Sequence, residues 1–389
     1  MTWKTRDVES ERKLFVQAYL TGRYTVVELA QRFEISERVA HKTLNRFKKD
    51  GFKGLSDRPR VRLTQVRADP DVIARVVAGR KLHPTWGPRK LRAWLQKRDP
   101  RTNWPAPSTM GGALKAVGLV EPRHRRRGRP TPTRPCVEAR APNQSWSMDH
   151  KGHFAVGGRR CYPFTVTDNF SRAILCCDTT ASTNLEEVWQ SLTRTFRTYG
   201  LPESILSDNG SPFAGTGLTH LSQLSVRLMK LGIHPEYIEP GKPQQNGRHE
   251  RMHRTLKAET AAPPASTFED QQKRFCTFVR EFNEERPHEA LGNEVPASVH
   301  VRSVREMPST LPKMEYDQAV TTRAVNRGGC FKWKAEFIFL AEPLYGERVA
   351  FDPAGEGLFA VRFGETRIAM FDEIMGRLHP VGPQLQQEG

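Results

Sequence analysis

Three acidic residues sit in surroundings suited to phosphoryl chemistry. Asp149 closes the run Trp146-Ser-Met-Asp149. Asp208 stands in Ser207-Asp208-Asn209-Gly210, where Asn-Gly makes a turn and leaves the carboxylate at a strand tip. Glu250 lies in the helical stretch Asn246–Thr260. Hard divalent cations take oxygen ligands and keep room for water and phosphate oxygens. Two such ions ~4 Å apart can activate the attacking oxygen and stabilise the leaving one in an in-line displacement at phosphorus. Three clustered carboxylates repel one another without a cation, so the cluster implies Mg²⁺ or Mn²⁺, with two ions per active site.

The Glu250 helix also carries Arg248, Arg251, Arg254 and Lys257 at intervals of three. They are expected to form a cationic strip against a sugar-phosphate backbone. Lys242, Gln245 and Asn246, in the polar loop before that helix, are expected to contact nucleic acid near the scissile bond. His249-Glu250-Arg251-Met252-His253 also spells H-E-x-x-H, the zinc-protease signature. Protease helices are buried among apolar neighbours, whereas this one is arginine-rich. The two histidines are instead read as contacts to phosphate or supports for the metal ligands. Asp168 is read as a turn former, Trp146 as core, and Glu236, Glu239 and Glu259 as solvated surface charges.

These groups need elements to position them, and charge locates the first. Net charge is +18 over 389 residues, but residues 1–140 alone carry +20 and the remainder −2. A field so concentrated marks a polyanion-binding region. Within it, residues 8–50 read as three helices. Thr25 and Glu28 form a capping box, and Ser36 caps a third helix running to about Lys49. That helix buries Val39, Ala40, Leu44 and Phe47 and presents Arg38, Lys42, Asn45 and Arg46. This is the helix-turn-helix arrangement, whose second helix enters the major groove. A second helical unit spans 71–79, 88–97 and 108–117, the last capped by Ser108. A Pro- and Arg-rich linker follows, with Arg125, Arg126 and Arg127 placed to track phosphates.

From Asn143 the pattern changes to three strands (145–154, 160–168 and 172–180), a helix capped by Asn184, a short strand at 205–208, a helix over 218–231, a strand at 235–239 and two more helices. Antiparallel strands followed by alternating helix and strand is the order of the ribonuclease H-like α/β fold. The tail, 316–381, holds five strand-like segments between glycine and proline turns and is expected to form a small β-barrel. The six cysteines contain no C-x-x-C pair and are expected to be reduced thiols. No apolar run reaches the ~18 residues of a membrane span. The charged N-terminus does not read as a secretory signal, and a cytoplasmic, nucleoid-associated location in a bacterium is expected.

Residues 143–300 resemble the integrase core of bacterial insertion-sequence transposases, kin to retroviral integrases. The resemblance runs in order through Trp146–Asp149, Phe164–Arg172, Tyr199–Pro202, Ser207–Phe213, Pro243–Gly247, His249–Arg251, Leu256-Lys257 and Phe282–Gly292. It implies that Asp149, Asp208 and Glu250 are the catalytic, metal-binding triad of a DDE enzyme. Such an enzyme would bind element ends on double-stranded DNA, free a 3′-hydroxyl and transfer it to target DNA, as a homo-oligomer assembled on DNA. One departure is the 41 residues between Asp208 and Glu250, longer than the common pattern, with 218–232 as the extra length. The expected organisation is a helix-turn-helix domain (1–55), a second helical domain (63–121), a linker (122–142), the catalytic core (143–300) and the barrel (316–381). A binding-only regulator would not need three clustered carboxylates. A junction nuclease of the same fold would not need tandem DNA readers.

Overall fold

The computed structural model describes residues 7–57, 68–120 and 138–381. It divides into two units, 1–67 and 68–389.

The first unit is built from α1 (Val8–Leu20), α2 (Val26–Arg32) and α3 (Glu37–Asp50). The starts of α2 and α3 follow from local chemistry. The Thr25 hydroxyl accepts from the Glu28 amide while the Glu28 carboxylate accepts from the Thr25 amide, and the Ser36 hydroxyl accepts from the Val39 amide. These bonds satisfy amides that the helix itself leaves without partners. Phe15, Val16, Leu29, Ala30, Ile35, Ala40, Leu44 and Leu55 form the core.

In the second unit, α4 (Pro70–Leu82), α5 (Pro88–Arg98) and α6 (Pro107–Ala116) enclose Val76, Trp86, Leu91, Trp94, Trp104 and Met110. Gly79 lets α4 pack closely on α5, since a Cβ would stand 3.2 Å from the Trp94 ring and push it by a few tenths of an ångström. Ser108 does not cap α6. Pro107 occupies the first turn and Ala106 the cap position, since proline's fixed φ starts a helix without a side-chain acceptor.

The central sheet is mixed. β1 (Ser145–His150) pairs antiparallel with β3 (Arg159–Asp168), and β4 (Ile174–Thr180) pairs antiparallel with β3. The single strand expected over 145–154 is interrupted at Gly152, φ +71°. Its continuation, β2 (Phe154–Val156), pairs with the start of β3. After α7 (Leu185–Tyr199), β5 (Ser204–Ser207) and β6 (His234–Tyr237) extend the sheet parallel to β1. Asn184 caps α7 by accepting from the Glu187 amide, and α7 buries Val188, Leu192 and Phe196 against Trp146 and Ile205. Two helices follow β6: α9 (Gly247–Thr260) and α10 (Phe268–Glu284). Met252 and Leu256 of α9 pack with Phe275, Phe278 and Phe282 of α10 and with Ile174 and Cys177 of β4.

The helix expected over 218–231 is shorter. α8 spans Gln223–Lys230 behind a Ser222 cap, because Gly215, Gly217 and positive-φ His220 shape a loop ahead of it. Leu224 and Leu228 of α8 join the core of the mixed sheet, whereas Val226 and Met229 join the core of the C-terminal strands.

Those strands do not form a closed barrel. β7 (Thr321–Ala324), β10 (Arg348–Gly355), β11 (Leu358–Phe363), β12 (Thr366–Asp372) and β13 (Arg377–His379) form an open antiparallel sheet in the order β13-β12-β11-β10-β7. β8 (Cys330–Trp333) and β9 (Glu336–Phe339) form a separate hairpin. Closure requires the outer strands to pair with each other. Here Phe331 and Trp333 from the hairpin, together with Val226 and Met229 of α8, cover the apolar face carrying Phe351, Phe363 and Phe371. No helix among the described residues is long and apolar enough to cross a membrane.

Candidate metal centre and nucleic-acid interface

In an open α/β sheet, ligands gather beyond the carboxyl ends of the parallel strands. β1 and β5 pair in register, Ser147 with Leu206. The same offset carried two residues further sets Asp149 beside Asp208, directly past the end of β5. The turn there is held by the Asp208 carboxylate, which accepts from the Gly210 amide at 3.0 Å, and by the Asn209 amide, which donates to the Ile238 carbonyl at 2.8 Å. Glu250 enters in the first turn of α9 and is exposed.

Electrostatics connects the three. The Asp149 carboxyl is pushed up to about 7, first by burial, then by the charge of Asp208, with Glu250 adding to the effect. Among the described residues no three His, Cys, Asp or Glu side chains stand as a group that could hold a metal ion as they are placed. The donor chemistry nevertheless fits one. Asp149 is driven toward its neutral form by burial and then by the two other carboxylates, and a divalent cation would offset both.

Of the two places the sequence left open for the histidines of α9, the structure favours support over phosphate contact. His249 and His253 are 2% and 3% exposed, too buried to meet a phosphate. Both Nε2 atoms lie on the Thr165 hydroxyl of β3, at 2.7 and 2.6 Å, and His249 Nδ1 lies 3.0 Å from the Thr167 hydroxyl. Thr165 Oγ1 is also 3.2 Å from the Asp149 carbonyl, to which it can only donate. Its oxygen must then accept from both imidazoles, so each carries its proton on Nε2. His249 Nδ1 is left to accept from Thr167, and His253 Nδ1 faces Asp149 Oδ2 at 3.7 Å. Burial pushes the His249 imidazole down to about 3, and His253 falls further. Neutral histidines thus fasten α9 to the strand beside β1, which fixes where Glu250 enters.

The cationic strip is split. At 100° per residue, Arg254 and Lys257 share the Glu250 face of α9 and are exposed, whereas Arg248, Arg251, Met252 and Thr255 line a cavity on another face. Lys242 is exposed and paired with Glu239. Gln245 and Asn246 are 9% and 7% exposed. The Gln245 amide is spent on Glu239, donating at 2.6 Å and accepting from the Glu239 backbone at 2.8 Å, so it shapes the loop from within. Glu259 is not merely solvated, since it accepts from Arg286 at 2.9 Å. Burial raises the Glu236 carboxyl. Asp168 is the expected turn former, accepting from the Phe170 and Ser171 amides. In the first unit, Arg38, Lys42 and Asn45 are exposed on α3, while Arg46 is half-buried and donates to the Ser56 carbonyl. Arg125, Arg126 and Arg127 lie outside the described residues. Residue types alone did not single out Thr165, Lys90 or Arg172. Arg286 lies in the Phe282–Gly292 motif, but nothing in its spacing assigned it a part.

Two integrase core domain models match residues 139–243 and 231–296, a helix-turn-helix domain model matches 11–62, and a homeodomain-like domain model matches 39–114. An insertion element IS407 protein of Burkholderia multivorans is 25% identical over 214 residues, covering 54% of this chain and 74% of its own length. An insertion element IS476 protein of Xanthomonas euvesicatoria is 25% identical over 284 residues, covering 72% and 79%. Together these matches support a bacterial insertion-sequence transposase with an integrase-like core. Among solved structures similar to this chain are the HTLV-2 integrase catalytic core in complex with magnesium (15% identity, TM-score 0.34, 42% of this chain and 99% of that one) and a simian T-cell lymphotropic virus intasome in complex with a PP2A regulatory subunit (16%, 0.37, 75% and 99%).

Proposed function

We propose that this transposase binds the ends of its element and cuts and joins DNA strands at a divalent-metal site made by Asp149, Asp208 and Glu250. The observation that carries this reading is the Asp149 carboxyl, lifted to about 7 by burial first and then by the charges of Asp208, past the end of β5, and Glu250, at the start of α9. Bound Mg²⁺ or Mn²⁺, two ions per site, would supply activation of the attacking oxygen and charge stabilisation at phosphorus. The chain's own part is to hold three carboxylates in place. A bound cation would favour the ionised form of Asp149, and the His249–Thr165–His253 bonds fix where α9, which carries Glu250, meets the sheet. Arg254 and Lys257, on the Glu250 face, would align the backbone, with Lys242 at the loop. Arg38, Lys42 and Asn45 on α3 would read the element end, and Arg125–Arg127 would follow phosphates between the DNA-reading segment and the core.

Strand transfer joins two DNA molecules, so a homo-oligomer assembled on paired ends is expected. The test is incubation of the protein with labelled element ends and Mg²⁺ or Mn²⁺. Cleaved and joined products from the wild type, and their loss in Asp208→Asn with DNA binding retained, support the reading. Strand transfer by Asp208→Asn at the wild-type rate would sink it, and binding without chemistry in the wild type would make the protein a regulator.

A further inference from the structure

The cavity on the other face of α9 has no part in the metal site. It holds about 640 Å³, and its charged lining comes from separate elements: Lys90 on α5, Arg172 in the β3–β4 turn, Arg248 and Arg251 on α9, and Arg286 after α10, with His288 beside them. Glu250 is not among the lining residues.

Two acids reach the cavity and both are engaged. Asp168 accepts from the amides of Asn143, Phe170 and Ser171 and from the Ser171 hydroxyl. Glu289 pairs with Arg89 at 2.7 Å. Arg286 has Glu259 as its partner, and Arg172 donates to the Asn169 carbonyl. The side chains of Lys90, Arg248 and Arg251 make no hydrogen bond or ion pair among the described residues. Burial, and after it like charge, acts on these groups. The Lys90 ammonium is pulled down to about 8 by burial and by Arg286, and the Arg172 guanidinium to about 10 by burial and by Arg248. His288 is held neutral, down to about 3, by burial and by Lys90, Arg286 and Arg172, and its Nε2 has no partner. Like charges gathered in a partly desolvated cavity oppose folding, and an anion that enters restores the balance.

We propose that this cavity grips the phosphodiester backbone of DNA away from the scissile bond, with Lys90, Arg172 and Arg286 as contacts additional to those of α9. The inference rests on the DNA-handling function proposed above and deepens it. Guanidinium forks match phosphate oxygens in geometry. The volume far exceeds one phosphate ion, which suits a run of linked phosphates. A backbone held there would touch α5, the β3–β4 turn and α9 together, and so tie the α4–α6 helices to the helix that carries Glu250.

The test uses the full chain in EDTA, where cutting is suppressed and binding is read alone. Duplex affinity is measured by anisotropy across a salt series for wild type and for Lys90→Gln/Arg251→Gln. The slope of log K against log salt is expected to fall by about 2, since each neutralised phosphate contributes ~0.9. An unchanged slope overturns the proposal. Amine labelling of wild-type Lys90, read by mass spectrometry at pH 8, needs no variant to fold. Duplex is expected to protect Lys90 several-fold, and inorganic phosphate at equal phosphate concentration is not. Equal protection by inorganic phosphate would make this a small-anion site and overturn the backbone assignment, as would protection by neither. Loss of cleavage in Mg²⁺ with these binding results intact would instead fault the metal site.

Discussion

α3 and α9 are both basic helices, yet they present their charge differently. In α3 one face fills the core of a three-helix unit and the other is open, with Arg38, Lys42 and Asn45 in solvent. In α9 three faces do three things. His249, His253 and Leu256 turn inward, Arg254 and Lys257 flank Glu250, and Arg248 and Arg251 line a cavity. A helix packed on one side keeps the meaning of its sequence pattern. A helix packed on several sides has its polar groups reassigned by the neighbours it meets.

That contrast can be broken at several points. The largest effect is expected at the acids. Glu250→Gln should lower strand cleavage by more than the roughly 10–100-fold typical of losing a supporting partner of a metal ligand, while DNA binding in EDTA stays within twofold. Cleavage assays and anisotropy on the same preparation check this.

Next is the metal-free stability of Asp149→Asn. Folding raises this carboxyl from 3.8 to about 7, so the folded state holds the proton more tightly than the unfolded one. The wild type therefore loses stability as pH rises from about 4 to 7, and the loss is complete above 7. Asp149→Asn should melt higher than wild type in EDTA at pH 8, with a ceiling of about 4 kcal/mol, and the difference should shrink at pH 5. A difference independent of pH would show that folding does not lift the Asp149 carboxyl.

Thr165→Val removes the oxygen that two buried imidazoles share and should cost about 1–3 kcal/mol in thermal unfolding. It should also reduce cleavage through the placement of Glu250, with duplex affinity in EDTA unchanged. Smallest in stability is Arg38→Ala/Lys42→Ala on α3, within about 0.5 kcal/mol of wild type. Its effect should appear in DNA binding, as a salt slope lower by about 1 for each phosphate that the helix no longer neutralises. Melting of this variant far below wild type would mean that α3 is not packed on one side alone.

Sequence pattern was most readable where local chemistry decides the outcome. The Thr25–Glu28 box, the Asn184 cap and the apolar stripe Val188, Leu192, Phe196 need only their immediate neighbours. It failed where distant contacts decide. Which of the two roles His249 and His253 take is decided only by Thr165 of β3. Glu259 looks solvated until Arg286 arrives from beyond α10. The open C-terminal sheet was misread because strand segments say nothing about whether outer edges meet. The three acids were proposed from family motifs alone. The lift on the Asp149 carboxyl depends on a register that only the folded sheet supplies.

The stretch that lengthens the span between Asp208 and Glu250 includes α8, whose opposite sides serve two different cores. The C-terminal strands are thereby riveted to the mixed sheet, helped by the Lys230–Glu347 ion pair at 2.7 Å. Cutting the chain ahead of Thr321 would lay bare an oily seam at Leu221, Val226 and Met229, so a fragment ending there should aggregate more readily than the intact chain.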